Sequence, residues 1–200
     1  DGVTTSYQYD ALKRQVGTTR LNITTTRVLD AEGRTVENIR TGTDNSSISL
    51  GGSLYDMGGD LLAETNALEG VTFYAENADA TNGLIRTTTY PDGGTRIEAH
   101  YLDGSIKSLT GTAVHGITNA ADIEYEPVAN DYRSFTEETK LNADGSPSSE
   151  WTKTYSSFLG QAYLTQYPDG AYSRSFYNNL GQLSAEADPD GVTNLFAYNA

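Results

Sequence analysis

The chain has 200 residues and a formal net charge of −14, from 13 basic and 27 acidic side chains. Such a charge repels phosphate backbones and anionic lipids, so we expect neither nucleic acid nor a membrane surface as a partner. No apolar stretch approaches the roughly 20 residues of a membrane span, so we expect no membrane insertion. The absence of cysteine excludes disulfides and thiolate metal sites. Hydrophobic residues make up only 36%, and 14 Tyr stand against five Phe. Because tyrosine suits a half-exposed sheet surface, this composition predicts an all-β protein.

The first hundred residues contain turn signals between extended segments. A Tyr-Asp pair opens the segments 9–14 and 55–61, and residues 29–34 keep Asp, Gly and Arg but carry Leu in place of Tyr. Residues 42–52 are rich in Ser, Asn and Gly, and we expect a long loop there. Asp92-Gly93 follows a Thr-rich segment that ends at Tyr90. These signals predict hairpins, because Asp and Gly favour tight turns.

The middle of the chain departs from this rhythm. Asp-Gly pairs recur at Asp103-Gly104 and Asp144-Gly145, but the stretch between them is acidic and contains Pro127. We therefore expect an irregular insertion or loose repeats at about 116–150.

The clearest internal repeat lies near the C-terminus. Residues 151–170 align with residues 172–191 at a shift of about 21 positions, with identical Leu-Gly-Gln and Pro-Asp-Gly segments. In the second copy we expect a strand over 171–177, a turn over 178–181, a return strand over 182–187 and a turn over 188–191. Tyr172 and Phe176 share one strand face, and we expect successive repeats to stack such rings across strands.

The third copy begins at Asp190, and its first residues align with the opening of the chain at Asp1. We therefore expect residues 1–200 to be a single repeat array, and a fragment of a longer one.

These motifs resemble the YD repeat of RHS proteins, which runs Tyr-x-Tyr-Asp-x-x-Gly-Arg and continues to Asp-Pro-x-Gly. The residues that match the repeat motif are Tyr9, Asp10, Tyr55, Asp56, Gly59, Tyr177, Gly181, Asp188, Pro189, Gly191 and Tyr198. The resemblance implies an array of antiparallel β-hairpins that forms a curved, solenoid-like sheet, a segment of a hollow shell.

In bacterial RHS polymorphic toxins and insecticidal toxin complexes, such a shell encloses a toxic C-terminal polypeptide, and teneurins have a more distantly similar shell. The resemblance therefore implies a structural wall, a secreted or cell-surface location, and two partners: the rest of the parent chain and a polypeptide cargo. We transfer no proteolytic residue from the family, because Asp188–Gly191 has the form of an ordinary repeat turn.

Few residues suggest chemistry. His100 and His115 have no metal-site spacing, and we expect both to be solvent-facing or packed on turns. Glu124 and Glu126 share a face if their segment is extended, but an acidic chain produces such pairs by chance. Asp188–Gly191 lacks the further ligands of a calcium loop. We expect no enzyme activity, no cofactor and no metal.

A second hypothesis remains open. An exposed Tyr-rich sheet face, with Trp151 near it, could bind carbohydrate or a cell-surface partner in an adhesion module, since aromatic rings stack on sugars as well as on one another.

Overall fold

The computed structural model of the chain describes residues 2–79 and 83–198. Asp1 and the last two residues of the third repeat copy lie outside these ranges. Seventeen β-strands occupy the described residues, with no helix among them that could cross a bilayer. The prediction of an all-β array of antiparallel hairpins is confirmed.

The strands fall into two compact units, Asp1–Asn77 with Arg86–Arg96, and Ala78–Ile85 with Ile97–Ala200. The first unit contains six complete strands, and three further strands contribute residues to both units. These strands are β1 Thr5–Tyr9, β2 Gln15–Arg20, β3 Ile23–Leu29, β4 Thr35–Thr41, β5 Ser47–Tyr55, β6 Leu61–Asn66, β7 Val71–Asp79, β8 Gly83–Thr89 and β9 Thr95–His100.

The second unit contains the remaining strands: β10 Ile106–Thr110, β11 Ile117–Glu126, β12 Asp131–Leu141, β13 Pro147–Ser156, β14 Ala162–Gln166, β15 Tyr172–Tyr177, β16 Leu183–Ala187 and β17 Thr193–Leu195. From β1 to β7 and from β9 to β17, each strand pairs antiparallel with the next strand in sequence, for example β1 with β2 and β16 with β17. This order is a β-meander, and short turns make most of its connections in the described residues.

One turn type closes twelve hairpins in the described chain. In each, the first residue donates its backbone N–H to the fifth carbonyl, and the fourth residue donates back to the first. The fourth residue has a φ between 61° and 99° in every case. The turns are residues 10–14, 30–34, 42–46, 56–60, 66–70, 90–94, 101–105, 142–146, 157–161, 167–171, 178–182 and 188–192.

Glycine fills the fourth position in nine of these turns because it takes a positive φ at little cost. Lys13, Asn45 and Glu69 fill it in the other three. A left-handed residue after a type I turn matches the twist of the two flanking strands, which explains why the Asp-Gly signals mark hairpins.

Six return strands contain a β-bulge at the same place. The extra residue lies two positions after the turn, at Val16, Val36, Leu62, Lys107, Tyr163 and Ser184. Each of these hairpins begins with an odd-numbered strand. A bulge bends its strand and redirects a side chain, so the turn and the bulge recur together as one structural unit.

The 21-residue repeat is visible in the second unit. Its turns 157–161 and 167–171 recur as 178–182 and 188–192, and β14 and β15 recur as β16 and β17. The stretch at 116–150 contains β11 and β12, which with β13 are the longest strands and which pair in unbroken register from Ile117↔Lys140 to Glu126↔Asp131.

The expected long loop at 42–52 is wrong. The turn ends at Ser46, and β5 begins at Ser47, directly opposite Thr41. Ser and Thr serve here as strand residues, because hydroxyls bond across strands. One row of hydroxyl residues runs in register across five strands, Ser6, Thr19, Thr24, Thr41 and Ser47, with Oγ contacts of 2.9 Å at Thr19–Thr24 and Thr41–Ser47.

The expected aromatic stacking between successive repeats is also wrong at Tyr172 and Phe176. Their cross-strand neighbours are Gln166 and Ala185, and the Tyr172 ring centroid lies 4.9 Å from the Arg174 guanidinium. A full repeat comprises two strands, so equivalent residues of successive repeats are separated by about 9–10 Å, too far for ring contact.

The sheet buries little apolar surface. Among the described residues, Ala63, Tyr155 and Leu164 are the buried hydrophobic side chains, whereas Phe158 remains 80% exposed. A closed domain of this size buries about 70% of its unfolded surface. The two units are therefore sheets whose faces lack a covering layer within the described chain.

The turn geometry predicts that valine lowers the free energy of unfolding at one position of a turn but not at another. Gly181, at a φ of 77°, is the fourth residue of turn 178–182, and Asn179 is the second. We expect Gly181→Val to lower the free energy of unfolding by about 1–2 kcal/mol or more, because a branched side chain is strained in the left-handed region. Urea unfolding followed by circular dichroism measures this difference.

The control is Asn179→Val, which adds the same side chain to the same exposed turn at a position without positive φ. Glu69→Gly provides the converse test, since Glu69 occupies the fourth position at a φ of 63°, and we expect it to stabilise the chain. Equal effects of the two valine variants would contradict the turn assignment.

Candidate functional site

The repeat motif is built around the backbone N–H of the fifth turn residue. In seven turns the side chain of the first residue accepts this N–H: Asp10, Asp30, Asp56, Asn66, Ser157, Asn178 and Asp188. In the other five, Asp at the third position accepts it: Asp44, Asp92, Asp103, Asp144 and Asp169. Either placement satisfies a donor that the tight turn leaves unpaired.

Asp10 shows the fullest form of this cap. Its Oδ1 accepts the N–H groups of Leu12 and Arg14 at 2.9 Å, and its Oδ2 lies 2.6 Å from the Arg14 Nε. The Arg14 backbone N–H, with the Arg14 side chain, lowers the pKa of Asp10. The same hydrogen bonds, supplied by Arg34, outweigh the opposing effect of desolvation and lower the pKa of Asp30. These carboxylates act as structural acceptors.

Arginine at the fifth position also contacts the next turn on the same side. The Arg34 guanidinium lies 4.7 Å from the Tyr55 ring centroid, and its Nη1 is 3.2 Å from the position of a Cβ on Gly59. Arg14 approaches Gly33 in the same way. The turn glycine therefore has a second role, because a side chain there would press on the arginine of the preceding turn. This contact connects Asp56 and Tyr55 to the hairpin before them.

Three motif tyrosines, Tyr9, Tyr55 and Tyr177, end their strands, and Tyr198 follows β17. Tyr9 is 60% exposed, whereas the Tyr177 hydroxyl donates to the Ala162 carbonyl at 2.7 Å and the Tyr198 hydroxyl donates to the Leu183 carbonyl at 2.8 Å. Both bonds reach back fifteen residues. The donors Tyr177 and Tyr198 are one 21-residue repeat apart, and so are the acceptors Ala162 and Leu183, so in these two copies the tyrosine anchors its repeat to the preceding one.

The remaining motif residues occupy positions of turn 188–192 that suit their backbone preferences. Pro189 is the second residue of turn 188–192, where its fixed φ suits a type I turn, and Gly191 is the fourth at a φ of 85°. Asp188 accepts the Val192 N–H at 2.8 Å. This carboxylate is thus engaged by its own turn.

A buried polar cluster in the second unit was not predicted. Glu126 ends β11 and is completely buried. Its two carboxylate oxygens accept the N–H groups of Val128 and Ala129 at 2.8 and 2.7 Å and the Tyr163 hydroxyl at 2.9 Å. A buried carboxylate needs such donors, since an unpaired one would be costly.

Glu124 belongs to the same cluster. We call the sheet face that carries Glu124 and Glu126 face A, and the opposite face of β10 to β15 face B. The Tyr155 hydroxyl donates to Glu124, and the Lys153 ammonium lies 3.1 Å from Glu124 and 3.3 Å from Glu137. The Tyr155 hydrogen bond, with help from Lys153, lowers the pKa of Glu124.

The cluster depends on strands that are distant in sequence. Tyr163 lies on β14 and Glu126 at the end of β11, and their side chains meet although two strands lie between them. Tyr163 is also the bulged residue of its strand, and a bulge can turn a side chain to the other face. Sequence reasoning identified the shared face of Glu124 and Glu126 but carried no signal for these partners.

The two histidines differ. His100 is buried, with its Nδ1 3.0 Å from the Gly104 carbonyl of the adjoining turn and its Nε2 3.9 Å from Glu98. His115 is exposed. Among the described residues no group of three or more His, Asp or Glu is arranged to hold a metal ion.

The chain is similar to parts of solved toxin complexes. A chain of the Photorhabdus luminescens Tc holotoxin pore is 13% identical, with a TM-score of 0.44, over 92% of this chain and 12% of its own. A chain of the TcdB2-TccC3-Cdc42 crystal structure is 12% identical, with a TM-score of 0.45, over the same shares. The chain thus spans about an eighth of each solved chain. No family model and no curated protein matches it.

The buried cluster predicts a large effect at Glu126. We expect Glu126→Gln to lower the free energy of unfolding by roughly 1–3 kcal/mol, because its amide group faces donors that need an acceptor. The matched control is Glu138→Gln on the exposed part of β12, for which we expect a change within about 0.5 kcal/mol. Chemical denaturation of both variants gives the comparison, and equal effects would contradict a structural role for Glu126.

Tyr163 predicts a loss of stability at alkaline pH. Burial, together with the hydrogen bond to Glu126, raises the pKa of Tyr163 from 10.0 to about 12. Folding therefore favours its protonated form, and this contribution is complete below pH 10 and is lost as the pH rises through about 12. Urea midpoints between pH 8 and 12 should fall more steeply in the wild type than in Tyr163→Phe. Tyr132→Phe, at an exposed ring, should leave the wild-type slope unchanged.

Proposed function

We propose that this chain is a section of a protein wall, a β-sheet segment of a larger shell that encloses a toxin or another polypeptide. The observation that carries the proposal is the combination of a regular hairpin array with very little buried apolar surface. A hairpin array of this kind is stable when further strands continue it and other surfaces cover it. Such a sheet is suited to enclosing a volume.

The turn architecture supports the same role. Twelve hairpins are closed by a side-chain cap of their own turn, and Tyr177, Tyr198 and the Arg34–Tyr55 pair connect neighbouring hairpins. The contacts pass from neighbour to neighbour, as in other repeat proteins. An array built in this way can be extended by adding hairpins without changing those already present. The resemblance to YD repeats points to the same use.

A structural role, without catalysis, is part of the proposal. Glu126 is the most buried carboxylate and is enclosed by three donors, so a substrate cannot reach it. Glu124 is held by Tyr155 and Lys153. The paired-carboxylate chemistry of a glycosidase needs both groups to face a cleft, and this arrangement uses them to join strands.

The partners that follow are the remainder of the parent chain, which would continue the sheet, and a polypeptide inside the shell. A secreted or cell-surface location in bacteria belongs to the same proposal, because enclosed toxins act outside the cell that makes them.

Limited proteolysis of the full-length parent protein tests the proposal. We expect one segment outside the sheet to be cleaved at least about tenfold more slowly in the intact protein than after the wall is loosened by Gly181→Val, because cleavage requires opening. Asn179→Val in the same turn is the control and should keep the segment protected. Equal cleavage of that segment in all three proteins would refute enclosure.

A further inference from the structure

Face B carries a depression that the wall does not require. It has a volume of about 570 Å³, within the range of small-molecule sites. Two rows of residues form its floor in register across β11, β12 and β13. The first row is Asn119, Glu138 and Thr152, and the second is Ala121, Thr136 and Thr154.

Tyr101 forms one wall of the depression. Its hydroxyl donates to the Asn119 carbonyl at 2.7 Å, and the Asn119 side-chain amide donates to the Ile106 carbonyl at 3.0 Å. The wall is therefore fixed to the floor by two hydrogen bonds. The Tyr101 ring and the Ile106 side chain supply apolar surface beside the polar rows.

Three polar groups on the floor remain available for a ligand. The side chains of Glu138, Thr136 and Thr152 make no hydrogen bond within the described part of the chain. Glu138 lies directly opposite Thr152, and Thr136 lies two residues before Glu138 on the same strand face. A carboxylate and two hydroxyls thus converge from adjacent strands about 4.8 Å apart. Together they offer several acceptors and two donors.

A second, smaller depression continues this surface. It has a volume of about 230 Å³ and shares Glu138 and Thr152 with the first. Its rim contains Lys140 and Glu150, whose side chains form an ion pair at 2.6 Å. The shared residues therefore lie at the centre of an elongated polar surface with space on either side, which suits a ligand of two or more linked units.

We propose that this surface binds a neutral oligosaccharide across Glu138 and Thr152. Sugar hydroxyls match the carboxylate and threonine groups, and the apolar C–H face of a sugar ring matches Tyr101 and the alanine floor. A lone carboxylate is a poor site for a metal ion, which takes more oxygen ligands. The Lys140 ammonium is already paired with Glu150, so no free cation favours an acidic sugar. The site stands whether or not the parent protein is a closed shell.

Saturation-transfer NMR and calorimetry on the 200-residue chain test this site. The probes are cellobiose, maltose, lactose and diacetylchitobiose, and we expect at least one to bind with a dissociation constant of about millimolar strength. Glu138→Gln and Thr152→Val should each weaken that binding by about tenfold, the value of a hydrogen bond to a buried ligand group. Circular dichroism should show that both substitutions, at exposed Glu138 and half-buried Thr152, leave the fold intact.

Two controls distinguish binding at this site from nonspecific sugar binding and from amine binding. Glu186→Gln changes an exposed glutamate of β16 outside the depression and should leave sugar binding unchanged. Cadaverine should not compete with the sugar. The proposal is overturned if none of the four sugars binds, if Glu138→Gln binds as the wild type does, or if cadaverine binds in a manner that depends on Glu138.

Discussion

The structure depends on one local constraint, the closing of a five-residue turn. A tight antiparallel turn leaves the backbone N–H of its fifth residue without a partner and requires a positive φ at its fourth. In the twelve turns of this kind an Asp, Asn or Ser side chain accepts that N–H, and nine have Gly at the fourth position. The cap can come from the first or the third residue, which is why the motif looks degenerate in sequence while the geometry stays constant.

From that turn the larger architecture follows by repetition. Most strands have five to seven residues between turns, and in six return strands a bulge two residues after the turn bends the strand. The motif tyrosine and arginine then reach one hairpin back or forward. Most stabilising contacts are between sequence neighbours, so the sheet extends without building a core. The scarcity of buried hydrophobic side chains is the direct consequence, and it is what makes the chain suited to being a wall.

The Glu126 cluster shows a different kind of stabilisation. It joins β11 to β14 through a buried carboxylate, a tyrosine hydroxyl and two backbone N–H groups, at a place where the strands are longest and the short repeat is interrupted. Long strands with few turns have fewer local caps per residue. In this region a side-chain network that crosses several strands provides stabilisation in place of the turn caps. On the opposite face the same long strands form the floor of the depression around Glu138.

The sequence alone determined the all-β class from composition and the 21-residue period from self-alignment. It also determined the turns at Tyr9-Asp10, Tyr55-Asp56, 178–181 and 188–191, because each turn depends on residues within five positions of one another. The prediction for residues 42–52 was wrong because Ser and Gly occur in loops as readily as in exposed strands. The predicted ring stacking at Tyr172 and Phe176 was wrong because each repeat contains two strands, which places equivalent rings of successive repeats too far apart for contact. Only the tertiary structure decided that Glu126 is buried against Tyr163, 37 residues away, and that Glu138 lies opposite Thr152. Strand register and a bulge bring such residues together, and no local sequence pattern encodes these contacts.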